Sequence, residues 1–136
     1  MKFQDIRRHF ETPVIDCCNL LRIQYRAENT LEPIGDALTE FVVARLQFGE
    51  MSENIIGDCP DPENIRGAFI VEYYGPKGRG PARAQEAMEC FFCSLKATQG
   101  VINLNGPDFT ALDNQPYFFA RLSMGIMASE NYIESV

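Results

Sequence analysis

Apolar residues recur along this chain with two periods, and the switch between them marks the elements. Phe3, Ile6, Phe10, Val14, Cys17 and Leu20 or Leu21 are three or four apart, which predicts an amphipathic helix over roughly the first twenty residues. Pro13 interrupts that stripe, and Thr12-Pro13 also reads as an N-cap followed by Pro at a first helical position, so one kinked helix and two consecutive helices both fit. The period then falls to two. Arg22-Ile-Gln-Tyr-Arg26 alternates and is read as a short, exposed strand. Thr39 to Phe48 sets Val42, Ala44, Leu46 and Phe48 on one face and Phe41, Val43, Arg45 and Gln47 on a mixed, partly wet one. Gly67 to Tyr74 is largely apolar on both sides, with Phe69, Val71 and Tyr73 opposite Ala68, Ile70, Glu72 and Tyr74, so it is expected to be an interior strand with 39–48 as its neighbour.

After Gly75-Pro-Lys-Gly-Arg-Gly80 the period returns to three or four. Pro81 suits a first helical position, and Ala84, Ala87, Met88, Phe91, Phe92 and Leu95 form one stripe that predicts a long helix ended by Gly100. Burying such side chains against the preceding strand contributes roughly 1.5–3 kcal/mol each, which makes helix and strand the nucleus of one core. Val101 to Leu104 is a short strand candidate, Asn105-Gly-Pro-Asp a turn, and Tyr117 to Met127 a strand whose Phe118, Ala120, Leu122, Met124 and Ile126 face the core. Residues 27–38 and 49–65 read as loops, the second with a short strand around Ile55-Ile56, and 128–136 as a flexible tail with little to hold it. The expected fold is a single α+β domain over 1–136, a mostly antiparallel or mixed sheet of about four or five strands packed against an N-terminal helix and a long central helix.

Composition and charge narrow the function. With 46% hydrophobic and 23% charged residues the chain is an ordinary globular one, and a net charge of -7 disfavours sequence-independent nucleic-acid binding over its surface. Met1-Lys-Phe-Gln-Asp-Ile-Arg-Arg lacks the apolar core of a signal peptide, and no apolar run reaches the ~18–20 residues of a membrane helix. Five cysteines, an odd number, are therefore read as reduced cytosolic thiols. Cys90-Phe-Phe-Cys93 has the spacing of a redox or half-zinc motif, but it lies inside a helix, away from the N-terminal dipole that activates redox thiols. Neither Cys17-Cys18 nor the single His9 offers the second ligand pair at zinc spacing. The thiols are expected to act as small apolar residues and His9 to face solvent. Gly75 to Gly80 stands where a phosphate cradle would, yet Pro81-Ala82 replaces the Ser or Thr of a P-loop and the third glycine of a dinucleotide fingerprint is missing. Glu50, Glu53, Asp58, Asp61 and Glu63 lack the spacing of a calcium loop, so these acids, with Lys77 and Arg79 of the Gly-rich turn, are read as partner-facing surface. No catalytic residue, cofactor or metal site is expected, and an assembly protein is favoured over an enzyme.

The order and spacing of these features resemble the tail terminator, or tail completion, proteins of long-tailed bacteriophages. The match begins with Ile23-Gln-Tyr-Arg-Ala-Glu-Asn29-Thr and the apolar-x-Pro step Leu31-Glu-Pro33, followed by the strand Glu40 to Gln47. Arg66-Gly67 then leads Ala-Phe-Ile-Val-Glu-Tyr-Tyr-Gly-Pro76, the turn Lys77-Gly-Arg-Gly80, the helix through Phe91 or Phe92, and the last strand Pro116-Tyr-Phe-Phe-Ala-Arg-Leu-Ser-Met-Gly-Ile126. The resemblance covers about residues 20–127. It implies a structural protein of the virion, assembled in the host cytoplasm, that closes into a hexameric ring on the head-proximal end of the tail tube. There it stops tube polymerisation and meets the head-tail connector, with DNA only passing through the lumen. The cysteine pair in the helix and the longer acidic loop depart from the family's pattern. The alternatives are a neck or head-closure protein of the same virion and, further off, a small α+β enzyme.

Overall fold

The computed structural model describes residues 3–27, 40–49, 55–56, 59–60, 65–76, 82–111, 117–129 and 133. In chain order the elements are α1 (Phe3–Leu21), β1 (Gln24–Ala27), β2 (Phe41–Phe48), β3 (Ile55–Ile56), β4 (Cys59–Pro60), β5 (Ile65–Pro76), α2 (Ala82–Lys96), β6 (Val101–Ala111) and β7 (Tyr117–Ala128). Five strands form one sheet in the order β1-β2-β5-β7-β6, while β3 and β4 pair as a small separate ribbon. Only β1 and β2 run parallel among the sheet's pairs; the rest are antiparallel. The strand that is apolar on both faces, β5, is the central one and is paired along its length with β7 from Ile65↔Ala128 to Pro76↔Tyr117. Gly67 serves its close pairing with β2, because a Cβ there would run into the Gln47 carbonyl.

Both helices lie on one side of the sheet. Ile6, Phe10, Val14 and Cys17 of α1, Ala84, Ala87, Met88, Phe91 and Leu95 of α2, and Val42, Ala44, Phe69, Val71, Leu122, Met124 and Ile126 of the strands share one buried core. This is the α+β domain that the periodicity predicts, and α1 runs unbroken through Pro13. A Pro in a helix interior removes one hydrogen bond and costs about 3 kcal/mol, and the buried stripe on either side of it outweighs that loss. The helix ends in a Schellman arrangement: the Ile23 N–H donates to the Cys18 carbonyl at 2.9 Å, the Arg22 N–H reaches Asn19 O at 3.4 Å, and Arg22 takes φ 60°.

Several expectations need correction. The second helix stops at Lys96 and not at Gly100, because the Thr98 N–H bonds to Leu95 O at 3.0 Å and the Val101 N–H to Thr98 O, turning the chain directly into β6. Asn105-Gly-Pro-Asp is not a turn between strands. It is a bulge within β6, where pairing with β7 shifts between Asn105 and Asp108 and resumes as Asp108↔Arg121, with Gly106 at φ 99° and a cis Gly106–Pro107 bond. The β-forming Phe109 and Thr110 beyond the bulge carry the ladder on to Ala111. Of the predicted tail only Ala128, Ser129 and Ile133 are described: Ala128 is buried, and Ile133 is 3% exposed with its N–H donating to Ser129 O at 3.1 Å, while the rest of 128–136 lies outside the described residues. Of the loop expected over 27–38, Ala27 belongs to β1 and the remainder lies outside the described residues.

Candidate interaction surface

The sheet's second face, away from the helices, carries a ladder of rings. Phe41, Tyr74 and Phe119 stand opposite one another on β2, β5 and β7. The first two rings stack at 4.8 Å with planes 12° apart, and the next pair is tilted at 5.2 Å. The Arg26 guanidinium on β1 lies 4.3 Å over the Phe41 ring. Phe41 is only 1% exposed. The mixed, wet face expected of β2 is therefore wet at Arg45 and Gln47 but closed at Phe41, because stacking and the cation above it take the ring from water. One row along, Arg45 Nε donates to Glu72 Oε1 at 2.6 Å, and this bond pushes the guanidinium's pKa up. Burial raises the Tyr74 hydroxyl.

At the end of the sheet where α2 begins, the Glu40 carboxylate, just ahead of β2, and the Arg83 guanidinium together tie β2, β5, α2 and α1. Tyr73 of β5 donates to Glu40 Oε2 at 2.6 Å, and Arg83, in the first turn of α2, donates from Nη2 to Glu40 Oε1 at 3.0 Å and from Nε at 3.2 Å. The same Nη2 also donates to the Leu21 carbonyl at the end of α1. Tyr73 is buried, and its pKa is pushed up by burial first and then by the Glu40 carboxylate that it donates to. The Tyr73 hydroxyl, the Arg83 Nε and Nη2 groups and both Glu40 oxygens are paired with one another, which makes the group a clamp between elements.

A third cluster lies between the helices. Cys17 of α1 and Cys90 of α2 bring their sulfurs to 2.8 Å, Ser94 Oγ stands 3.1 Å from Cys17 Sγ, and Cys18 is buried beside them. Burial pushes the Cys18 thiol up to about 12, and burial together with the bond to Cys17 does the same to Cys90. Cys93 is exposed. Of the CxxC pair, read as small semi-buried groups, Cys90 is half-buried but Cys93 is exposed, and the partner of Cys90 is Cys17 and not its motif neighbour. His9 likewise is not simply solvent-facing: half-buried, it meets the Gln99 carbonyl at 2.8 Å and the edge of Phe10. No group of three or more His, Cys, Asp or Glu suited to a metal occurs among the described residues.

The charged residues singled out from the sequence, Glu50, Glu53, Asp58, Asp61, Glu63, Lys77 and Arg79, lie outside the described residues. Their anchors do not. The acidic segment leaves the sheet at Gly49, whose N–H donates to Arg66 O at 2.8 Å, and re-enters at Ile65, so both its ends are fixed at one end of β5. Pro76, which Lys77 follows in sequence, ends that twelve-residue strand about 36 Å from Ile65 at the usual rise per residue. The Glu40–Arg83 clamp stands at this second end and holds the start of α2, to which the basic turn connects. Sequence reasoning missed the ring ladder, the clamp and the Cys17–Cys90 contact. Each joins residues far apart in the chain, and only the ladder left a trace, as aromatic residues on the non-core set of three strands.

No model of a protein family matches the chain, and no curated protein does. Several solved structures match, among them one with a TM-score of 0.63 at 19% identity over 95% of this chain and 96% of its own. A likeness at that identity shows the fold alone.

Proposed function

We propose that this protein is a structural tail terminator: it closes into a six-membered ring on the head-proximal end of a phage tail tube, ends tube growth and offers the ring's free face to the head-tail connector. The observation that carries this reading beyond the resemblance in sequence is the anchoring of the acidic segment and the basic turn at opposite ends of β5. A ring is built from a heterologous contact, in which one patch on a subunit meets a different patch on the next. Opposite charges attached at separate places on one rigid sheet suit such a contact, steer association and fix its register. The net charge of -7 suits a lumen through which DNA passes without adhering.

The test separates folding from assembly. Lys77→Glu with Arg79→Glu is expected to slow ring formation and tube capping and to raise their sensitivity to salt, while thermal unfolding of the subunit stays unchanged, because solvated turn charges contribute little to stability. In infected cells the variant is expected to give overlong, unjoined tails by electron microscopy. Tails of normal length from a folded variant would remove the turn from the interface. Normal tails after deletion of the gene would remove the terminator assignment.

A further inference from the structure

We propose that Cys17 and Cys90 are a modification site, an oxidisable dithiol that closes into a disulfide between α1 and α2 when the protein meets a low-molecular-weight disulfide. Their sulfurs are 2.8 Å apart, inside the ~3.5–4.0 Å of an ordinary van der Waals contact even between smaller carbon atoms. A bond at the usual length of about 2.05 Å requires them to close by only about 0.75 Å. The two positions are 73 residues apart in the chain and sit on separate helices that pack side by side in one core. The pairing is therefore a product of the fold and not of the local CxxC spacing. Within that motif Cys93 points outward, whereas Cys90 turns toward α1.

The two thiols differ in access, and this sets the order of events. Cys17 is 4% exposed, whereas Cys90 is half-buried and open to a small reagent. Burial holds the Cys90 thiol protonated at neutral pH, so the exchange runs in mildly alkaline solution: the fraction of Cys90 that ionises there attacks one sulfur of oxidised glutathione, the reagent's S–S bond breaks, and one glutathione leaves as a thiolate that takes up a proton. The Cys17 thiolate then attacks Cys90 Sγ, the mixed disulfide breaks, and the second glutathione leaves. Two protein thiols lose two protons and two electrons, and one glutathione disulfide is reduced to two thiols. Ser94 Oγ, 3.1 Å from Cys17 Sγ, is placed to hydrogen-bond that sulfur. The proposal does not depend on the ring reading, since it concerns the folded subunit alone.

The experiment is incubation of the full chain with oxidised glutathione in mildly alkaline buffer in which it stays folded, followed by alkylation under denaturing conditions and peptide mapping without reductant. The expected product has two of its five cysteines blocked, a mass lower by two hydrogens, and a link between the peptides His9–Arg22 and Ala84–Lys96 that fragmentation places at Cys17 and Cys90. Cys18→Ala with Cys93→Ala should keep the link, and Cys17→Ala should leave a glutathione adduct at Cys90 in its place. An internal Cys90–Cys93 disulfide, a link to Cys59, a stable glutathione adduct on the unaltered chain, or no loss of thiols would each overturn the proposal. The map of the unaltered protein decides the matter even if Cys17→Ala fails to fold.

Discussion

Removing Arg83 should loosen the domain at the end from which the basic turn departs, and the size of the effect follows from the clamp's geometry. Arg83→Met keeps the aliphatic stem but deletes three donations to Glu40 and one to the Leu21 carbonyl. Hydrogen bonds to charged groups contribute about 1.5–3 kcal/mol where they are dry, but the Arg83 side chain is 38% exposed and Glu40 21%, so solvent reduces the pair to about 1–2 kcal/mol. A carbonyl left without its donor adds about 1 kcal/mol, giving roughly 2–3 kcal/mol in all. Tyr73→Phe should cost about 1–1.5 kcal/mol, because Tyr73 is 2% exposed and its hydroxyl has one partner while Glu40 keeps the arginine. Urea unfolding of both single variants and of each combined with Glu40→Gln measures the coupling directly. Arg83→Met and Glu40→Gln should fall short of additivity by about 1 kcal/mol or more. Full additivity of those two would mean that the carboxylate and guanidinium are not coupled in solution, and the clamp would have to be abandoned.

Phe91→Ala should lower stability by about 3–5 kcal/mol and move the urea midpoint accordingly, since Phe91 is fully buried between helix and sheet; a midpoint that barely moves would put the α2 stripe against something other than this core. Arg22→Gly should raise stability by about 0.5–1 kcal/mol, as glycine takes the φ of 60° that closes α1 without a Cβ penalty, and a loss in thermal midpoint would show that the arginine's side chain matters more. Alkali should destabilise the fold. The folded Cys18 thiol holds its proton to about 12 against 9.0 ordinarily, so its contribution is full below pH 9.0 and is lost as pH rises toward 12, with Tyr73 acting in the same direction above 10.0. Urea midpoints across that range should fall for the native chain and fall less for Cys18→Ala.

What the sequence disclosed and what it withheld divide along one physical line. Periodicity is a local signal, and it located α1, β2, β5, α2 and β7 because each buries one complete face: Val42, Ala44 and Leu46 on β2, or Ala120, Leu122, Met124 and Ile126 on β7. It failed at Asn105-Gly-Pro-Asp, where turn chemistry and bulge chemistry use the same residues and only the ladder to β7 distinguishes them. The contacts that define candidate sites are non-local. Glu40 meets Arg83 across 43 residues and Cys17 meets Cys90 across 73, so neither pair has a spacing to read. A CxxC motif drew attention to Cys93 when the fold had turned Cys90 toward another helix.

The central claim is that this chain caps a tail tube, and it is tested most directly by mixing the purified protein with bare tail tubes and imaging the ends by cryo-electron microscopy. The account predicts a ring of six subunits on one end of each tube, with neighbouring subunits joined through the segments at opposite ends of β5, and tubes that no longer elongate when free tube protein is supplied. Tubes with two bare ends that continue to grow in the presence of excess folded protein would contradict it.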